Sequence, residues 1–221
     1  MTDLEVLADA GAVARRGAEV AAVAAREAVA DHGTFAFAVS GGRTPWAMLE
    51  TLANEEVPWD HVGIWQVDER VAPSGDPDRN LTSLEALLPP GATLRPMPVE
   101  DHDLDSAAER YAASLPPTFD LVHLGMGDDG HTASLVPGDP VLDVAERDVV
   151  ITARYRGWRR MTLTYRVLER ARRILWLITG ADKAPMLPML LRADPSIPAG
   201  RVRGAEQLVL ADAAAAAEIH P

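Results

Sequence analysis

The chain has 221 residues, of which 48% are hydrophobic, and no shift in composition divides it, so we predict one domain over residues 1–221. It contains no cysteine, which excludes disulfides, thiolate nucleophiles and cysteine-ligated metal centres. A formal net charge of −12 argues against general binding to nucleic acid or to a membrane surface, because both depend on a surplus of Lys and Arg.

The first long element is the alanine-rich stretch 8–30, which has helical spacing. It carries charged residues throughout, including Asp9, Arg15, Arg16 and Glu19, so it can be neither a membrane-spanning helix nor a signal-peptide core. We therefore expect a cytoplasmic protein.

Apolar runs rich in β-branched or aromatic residues alternate with segments of helical spacing along the rest of the chain. The runs predict strands at 35–39, 62–67, 121–124, 149–152, 174–179 and 208–210. Helices are predicted at 8–30, 45–53, 81–88, 106–114, 165–172 and 183–191. Such alternation predicts an α/β fold with a mainly parallel, Rossmann-like sheet and helices on both faces. Ligands of such sheets bind beyond the carboxyl ends of the strands.

The first predicted strand runs into Ser40, Gly41, Gly42, Arg43 and Thr44, followed by a proline. We read Thr44 as a helix N-cap and the proline as the first helical position. A helix N-terminus is a natural phosphate site, and Arg43 could add a charge-assisted bond. The segment lacks the ending of a Walker A loop and does not match the dinucleotide fingerprint, so no nucleotide cofactor is expected. The alternative is a tight turn that needs small residues.

The next strand runs into Asp68, Glu69 and Arg70. Arg70 is a candidate site residue, but it could equally pair with the two neighbouring carboxylates. The Pro/Gly/Asp-rich stretch 73–80 that follows is either a plain surface loop or a flap beside a site.

The most informative segment is the glycine-rich run 125–134, which directly follows the strand at 121–124 and contains Asp129 and His131. Histidine titrates near neutrality, so His131 could move protons while Asp129 orients it. A tight loop without catalytic function is the alternative. His123, inside the strand, is predicted to be a hydrogen-bonded core or rim histidine.

Three further features are weaker. Lys183 follows Gly180 near a predicted helix and is either a second anion ligand or a solvated lysine. The Asp101-His102-Asp103 run resembles a metal cluster but lacks a further ligand pattern, which favours a solvated loop. Trp158 either covers the site or packs.

Taken together, these segments resemble the 6-phosphogluconolactonases, a branch of the group that includes glucosamine-6-phosphate deaminases and isomerases. The matching pieces occur in the family's order over about two thirds of the chain, and the central run is the most specific of them. They are residues 40–45, 68–70 with Asn80, 124–135 with Pro137-Gly138, 160–164, and Gly180 with Lys183-Ala184.

The resemblance implies the fold of the sugar-phosphate isomerases and hydrolysis of 6-phospho-D-glucono-1,5-lactone in the oxidative pentose phosphate pathway, without a cofactor or metal. It implies that His131 activates water, that Asp129 orients it and that Arg70 lies near the carbonyl or phosphate. The phosphate would be held by Lys183 and by Ser40, Gly41, Gly42, Arg43 and Thr44, with Arg160 as a further substrate ligand. The expected partner is this small molecule, and we expect binding to neither nucleic acid nor membranes. The protein is expected to be a monomer or a weak homo-oligomer.

The sequence departs from the family at Arg43 and Gly200, where serine is common, and at Val136, where phenylalanine is common. Two rival functions stay open. An amino-sugar phosphate isomerase-deaminase would continue after the histidine with Ile-Ala-Phe-Asn-Glu-Pro, whereas this chain has no acid between Thr132 and Pro137. A non-catalytic sugar-phosphate sensor could share the fold, although it would not need both His131 and Asp129.

Overall fold

The computed structural model describes residues 2–204 and 206–219. The strands are β1 (Thr2–Leu7), β2 (Phe35–Val39), β3 (Val62–Gln66), β4 (Asp68–Arg70), β5 (Thr93–Arg95), β6 (Leu121–Leu124), β7 (Val149–Ile151), β8 (Arg160–Leu163), β9 (Arg173–Ile178) and β10 (Glu206–Asp212). The helices are α1 (Ala10–His32), α2 (Arg43–Leu52), α3 (Asn80–Leu87), α4 (Leu104–Ala113), α5 (Tyr165–Leu168) and α6 (Leu187–Leu191).

A seven-stranded parallel sheet in the order β1-β10-β9-β6-β2-β3-β5 forms the centre of the protein, as the alternation predicts. All five residues of β2 are buried, which is typical of a strand covered on both faces. The chain moves from β2 toward one edge through β3 and β5, and then returns to the other side of β2 at β6. The carboxyl ends of β2 and β6 therefore flank the point where the strand order reverses, which is where open α/β sheets bind ligands.

Helices cover both faces, as predicted. One apolar cluster joins α1 and α2 to one face, and another joins α4, α5 and α6 to the opposite face. Alanines recur along the buried side of α1, and a methyl group added at Gly17 would lie 3.1 Å from Leu177 and Met48. Small side chains thus let α1 pack closely on the sheet and on α2. No helix among the residues described is both long and apolar enough to cross a bilayer.

Several predicted boundaries are wrong, and one strand was missed. The helix predicted at 183–191 is a 3-10 turn at Ala181–Lys183 followed by α6, because Pro185 between them lacks the N–H that a continuous helix needs. The helix predicted at 165–172 ends at Leu168. The polar β1, at the sheet edge beside β10, was not predicted at all.

The larger difference is a second, antiparallel sheet with the order β4-β8-β7. Its first strand is the charged triplet Asp68–Arg70, which the sequence analysis treats as the loop after a strand. The sheet continues directly from the end of β3, since Val67 donates its N–H to Val39 and accepts one from Leu163. It therefore stands at the carboxyl edge of the parallel sheet and forms one wall of the space above β2 and β6.

Candidate active site

A cleft of about 450 Å³ lies at this carboxyl edge. Its walls are the loop after β2, strands β4 and β8, residues 77–80 and the loop after β6. Eight of the residues proposed from the sequence line it: Ser40, Gly41, Gly42, Arg43, Arg70, His131, Arg160 and Lys183. The stretch 73–80 also contributes to the wall, which favours the interpretation of a loop beside a site.

His131 and Asp129 form a hydrogen-bonded pair. The imidazole Nδ1 lies 2.5 Å from Asp129 Oδ1, and the same oxygen accepts the backbone N–H of His131 at 3.1 Å. Because a carboxylate can only accept, Nδ1 carries the proton, and Nε2 is left as an acceptor on a side chain that lines the cleft. Burial raises the pKa of Asp129, but the hydrogen bonds from His131 and from Tyr155 outweigh it, and this pKa lies below its usual value. The pair thus has the geometry of an oriented general base.

Gly127 allows the imidazole to lie where it does. A methyl group built on this glycine would be 2.0 Å from His131 Nδ1 and 2.1 Å from Cε1. The backbone of the same loop is closed by the N–H of Gly127, which donates to the carbonyl of His131 at 2.8 Å. A side chain at position 127 would occupy the space of the ring.

The loop after β2 differs from the prediction in its cap. Helix α2 begins at Arg43, and Gly42 is the N-cap with φ of 137°, a conformation that favours glycine. Thr44 therefore lies inside the first turn, and its hydroxyl hydrogen-bonds to Thr179 at 2.7 Å instead of capping the helix. Arg43 lines the cleft beside the free N–H groups of α2, so the predicted anion site at this helix end keeps its physical basis. Phosphate binding by these residues stays a prediction.

Arg70 and Arg160 face each other across the β4–β8 pair, where they occupy directly opposed positions. Like charges in such positions repel one another. Burial lowers the pKa of Arg160 from its ordinary value; the charge of Asp68 opposes this effect, and the charge of Arg70 adds to it. Its buried Nε has no hydrogen-bond partner in the described part of the chain. Two opposed guanidinium groups on one wall favour an anionic or oxyanionic ligand.

The ion pair considered for Arg70 inside its own triplet is not among the salt bridges of residues 2–204 and 206–219. Arg70 instead donates to the backbone carbonyl of Asp78. The buried Glu69 accepts the N–H groups of Arg70, Asn80 and Leu81 at 2.8 to 2.9 Å, so this carboxylate ties β4 to the start of α3. Asn80 in turn packs against Gly41, where a methyl group would lie 2.0 Å from its side-chain oxygen.

Lys183 also lines the cleft. Its side chain is 19% exposed, and its amine forms an ion pair with Asp182 at 2.8 Å. The pKa of Asp128 is lowered mainly by a hydrogen bond from Arg156, and the charge of Lys183 contributes to the same effect. Lys183 is therefore a cation of the cleft wall, and its contact with phosphate stays a prediction.

The sequence analysis missed the hairpin formed by Tyr155, Arg156, Gly157 and Trp158. Tyr155 and Trp158 form an antiparallel bridge, and both central residues have positive φ, as in a type I′ turn. Arg156 lines the cleft, and Trp158 donates its indole N–H to Asp78 at its rim. An aromatic residue on each side of Arg-Gly was the available signal for a hairpin, although nothing in it indicated contact with Asp129.

Other predictions are resolved by burial and pairing. His123 is fully buried, as predicted, and burial lowers its pKa to about 3, so it is neutral and accepts the N–H of Ser40. The Asp101–Asp103 run is used structurally, because Asp103 caps α4 and Asp101 pairs with Arg110. Within the described residues, the one group with potential metal-ligand geometry is Asp128, Asp129 and His131.

Comparisons with known proteins agree with one another. A family profile described as glucosamine-6-phosphate isomerases/6-phosphogluconolactonase matches residues 8–210. A 6-phosphogluconolactonase of Synechocystis is 36% identical over 186 residues, covering 76% of this chain and 77% of the relative. One of Nostoc is 32% identical and covers 98% of both chains. The crystal structure of the Thermotoga maritima 6-phosphogluconolactonase superposes with a TM-score of 0.85 at 28% identity, covering 96% of this chain and 99% of that one.

Proposed function

The chain belongs to the glucosamine-6-phosphate isomerase/6-phosphogluconolactonase family, and we propose that it hydrolyses 6-phospho-D-glucono-1,5-lactone to 6-phosphogluconate. The observation that supports this most directly is the His131–Asp129 pair, in which Nδ1 lies 2.5 Å from the carboxylate on a histidine that lines the cleft.

His131 Nε2 takes a proton from a water molecule as the water oxygen attacks C1 of the lactone. The attack gives a tetrahedral oxyanion, and its collapse breaks the bond between C1 and the ring oxygen. His131 then returns the proton to the departing ring oxygen, while Asp129 stabilises the transient imidazolium. General-base assistance of this kind is typically worth ~10² to 10⁴ in rate, and no covalent nucleophile is needed for an activated ester.

The cations of the cleft divide between the reacting centre and the remote phosphate. The opposed pair Arg70 and Arg160 stands on the β4–β8 wall and stabilises negative charge that develops on the carbonyl oxygen. The N-terminus of α2, Arg43 and Lys183, which also line the cleft, bind the phosphate. A phosphate held away from C1 fixes the register of the lactone without taking part in bond breaking.

The loop after β6 also bears on the deaminase alternative. Between Thr132 and Pro137 the chain offers no acid for ring opening, and the two hydroxyl side chains there have structural partners. Thr132 donates to the carbonyl of Gly125, and the Ser134 hydroxyl donates to Asp68. This arrangement supports lactone hydrolysis over amino-sugar deamination. A sugar-phosphate sensor would have no use for the oriented base.

The test is lactone disappearance, with the lactone generated in place and EDTA present, measured against spontaneous hydrolysis. We expect fast loss with wild type and loss near background with His131→Ala. His61→Ala is the matched control, because His61 lies at the amino end of β3 and hydrogen-bonds to the Gly33 carbonyl. A folded wild type that does not accelerate the reaction, or a fully active His131→Ala variant, would contradict the proposal. Turnover of glucosamine 6-phosphate would then support the deaminase.

A further inference from the structure

The phenol of Tyr155 contacts the His131–Asp129 pair, although Tyr155 is not among the residues that line the cleft. We propose that Tyr155 is a positioning residue for the catalytic base and acts through Asp129. The kinetic consequences of this inference depend on the proposed function. The contacts between Tyr155, Asp129 and His131 do not depend on it.

Both oxygens of Asp129 are held. Oδ1 accepts from the ring and the backbone of His131, and Oδ2 accepts the hydroxyl of Tyr155 at 2.9 Å. The Tyr155 and His131 rings also meet edge to face, with centroids 5.5 Å apart and planes inclined by 67°. Tyr155 therefore touches both members of the pair, while neither Tyr155 nor Asp129 is among the residues lining the cleft.

Two guanidinium groups lie over the Tyr155 ring. Arg156 Cζ is 5.2 Å from the ring centroid and Arg160 Cζ is 5.4 Å from it, distances at which cations attract an aromatic face. The hairpin that carries the ring is tied at its tip, because Arg156 pairs with Asp128 at 2.8 Å. The phenol is thus placed by contacts from β8 and from the loop that holds the base.

The direction of the hydrogen bond follows from charge. Burial and the hydrogen bond to Asp129 raise the pKa of Tyr155, so the phenol keeps its proton and donates it to the carboxylate. A donor on Oδ2 stops the carboxylate from rotating and keeps Oδ1 directed at Nδ1. It also stabilises the deprotonated form of the pair, because a hydrogen bond to an anion favours that anion.

The variant that tests this is Tyr155→Phe, which removes the hydroxyl and keeps the ring. We expect kcat to fall by about tenfold with KM changed less than twofold, since a misoriented base affects the chemical step. We also expect the acid limb of the pH–rate profile to move to higher pH, because the carboxylate of Asp129 loses a hydrogen-bond donor and the pair then binds its proton more tightly. The other charged groups of the cleft wall are left unaltered: Arg43, Asp68, Arg70, Asp78, Arg79, Asp128, Arg156, Arg160 and Lys183.

The matched control is Tyr165→Phe, which deletes a hydroxyl that donates to the Pro198 carbonyl at 3.0 Å, away from the cleft. It should leave the profile unchanged. The double variant Tyr155→Phe/Asp129→Asn should be no slower than Asp129→Asn alone, because Tyr155 is argued to act through Asp129. Multiplied losses, or a Tyr155→Phe enzyme with wild-type kcat and pH profile, would overturn the proposal.

A readout that needs no turnover separates this inference from the lactonase assignment. The imidazole NMR signals of His131, identified by their absence in His131→Ala, can be followed through a pH titration of wild type and Tyr155→Phe. A shift of the titration to higher pH in Tyr155→Phe supports the positioning role even if the lactone is not the substrate. Superimposable titration curves would reject that role even in an active lactonase.

Discussion

Replacement of Gly127 by alanine perturbs the base without touching a reactive group. The new methyl carbon would lie 2.0 Å from His131 Nδ1 and 2.8 Å from Asp129 Oδ1, whereas nonbonded heavy atoms prefer about 3.5 to 4.0 Å. The backbone of Gly127 is not in the positive-φ region, so alanine can adopt it. The imidazole must therefore move by more than about 1 Å, and the 2.5 Å hydrogen bond to Asp129 is lost.

A displacement of this size near the reacting atoms costs on the order of 10²-fold in rate. We expect kcat/KM of Gly127→Ala to fall by roughly that factor, within the ~10² to 10⁴ that a general base provides. The thermal midpoint should change little, because the His131 side chain is 18% exposed and can turn into the cleft.

The assay is lactone hydrolysis corrected for the spontaneous rate, with circular dichroism to follow unfolding. Gly11→Ala in α1 is the control for the substitution itself, since its methyl group meets only the side-chain ends of Asp9 and Arg15. The double variant Gly127→Ala/His131→Ala should match His131→Ala. Wild-type kcat/KM in Gly127→Ala would refute the argument that this glycine makes room for the base.

Two further predictions concern stability. Burial raises the pKa of Asp148, but hydrogen bonds from Arg170 and Arg166 outweigh it and hold this pKa below its usual value. A depressed carboxyl pKa stabilises the fold above the unfolded value of about 3.9 and ceases to do so as the pH falls through the folded-state pKa. Asp148→Asn should therefore lower the free energy of unfolding, measured by urea titration, by about 1 kcal/mol at pH 7. The difference from wild type should shrink toward pH 3, and an equal difference at both pH values would count against this explanation. Gly200→Ser should lower the free energy of unfolding by about 1 to 3 kcal/mol in the same assay, because its Cβ would lie 2.1 Å from the Asp194 carbonyl oxygen. Unchanged stability would show that the backbone at Asp194 can shift at little cost.

The alternation of strands and helices along the chain could be predicted because it depends on local patterns of apolar and turn-forming residues. Strands β2 and β6 have the predicted bounds, since short apolar runs between turn residues leave little choice. The run 125–134 likewise indicated an acid and a histidine at a strand end, and the structure joins those two side chains. Their separation is only two residues, so local geometry suffices to bring them together.

Prediction failed where pairing depends on distant partners. The triplet Asp68–Arg70 has no strand signal of its own, and it becomes β4 only because β8 lies beside it. Thr44 resembled an N-cap, but the N-cap is Gly42, which can adopt the positive φ that the turn requires. The Thr44 hydroxyl instead hydrogen-bonds to the distant Thr179.

By itself, the sequence determined the α/β class, the carboxyl-edge location of the site and the His131–Asp129 pair, because each depends on residues that are close in the chain. The tertiary structure decided that Arg160 opposes Arg70 and that Tyr155 holds Asp129. Tyr155 lies 26 residues from Asp129 along the chain, and periodicity carries no information about contacts of that kind. They are fixed by how the small antiparallel sheet and its neighbouring hairpin fold back over the edge of the parallel one.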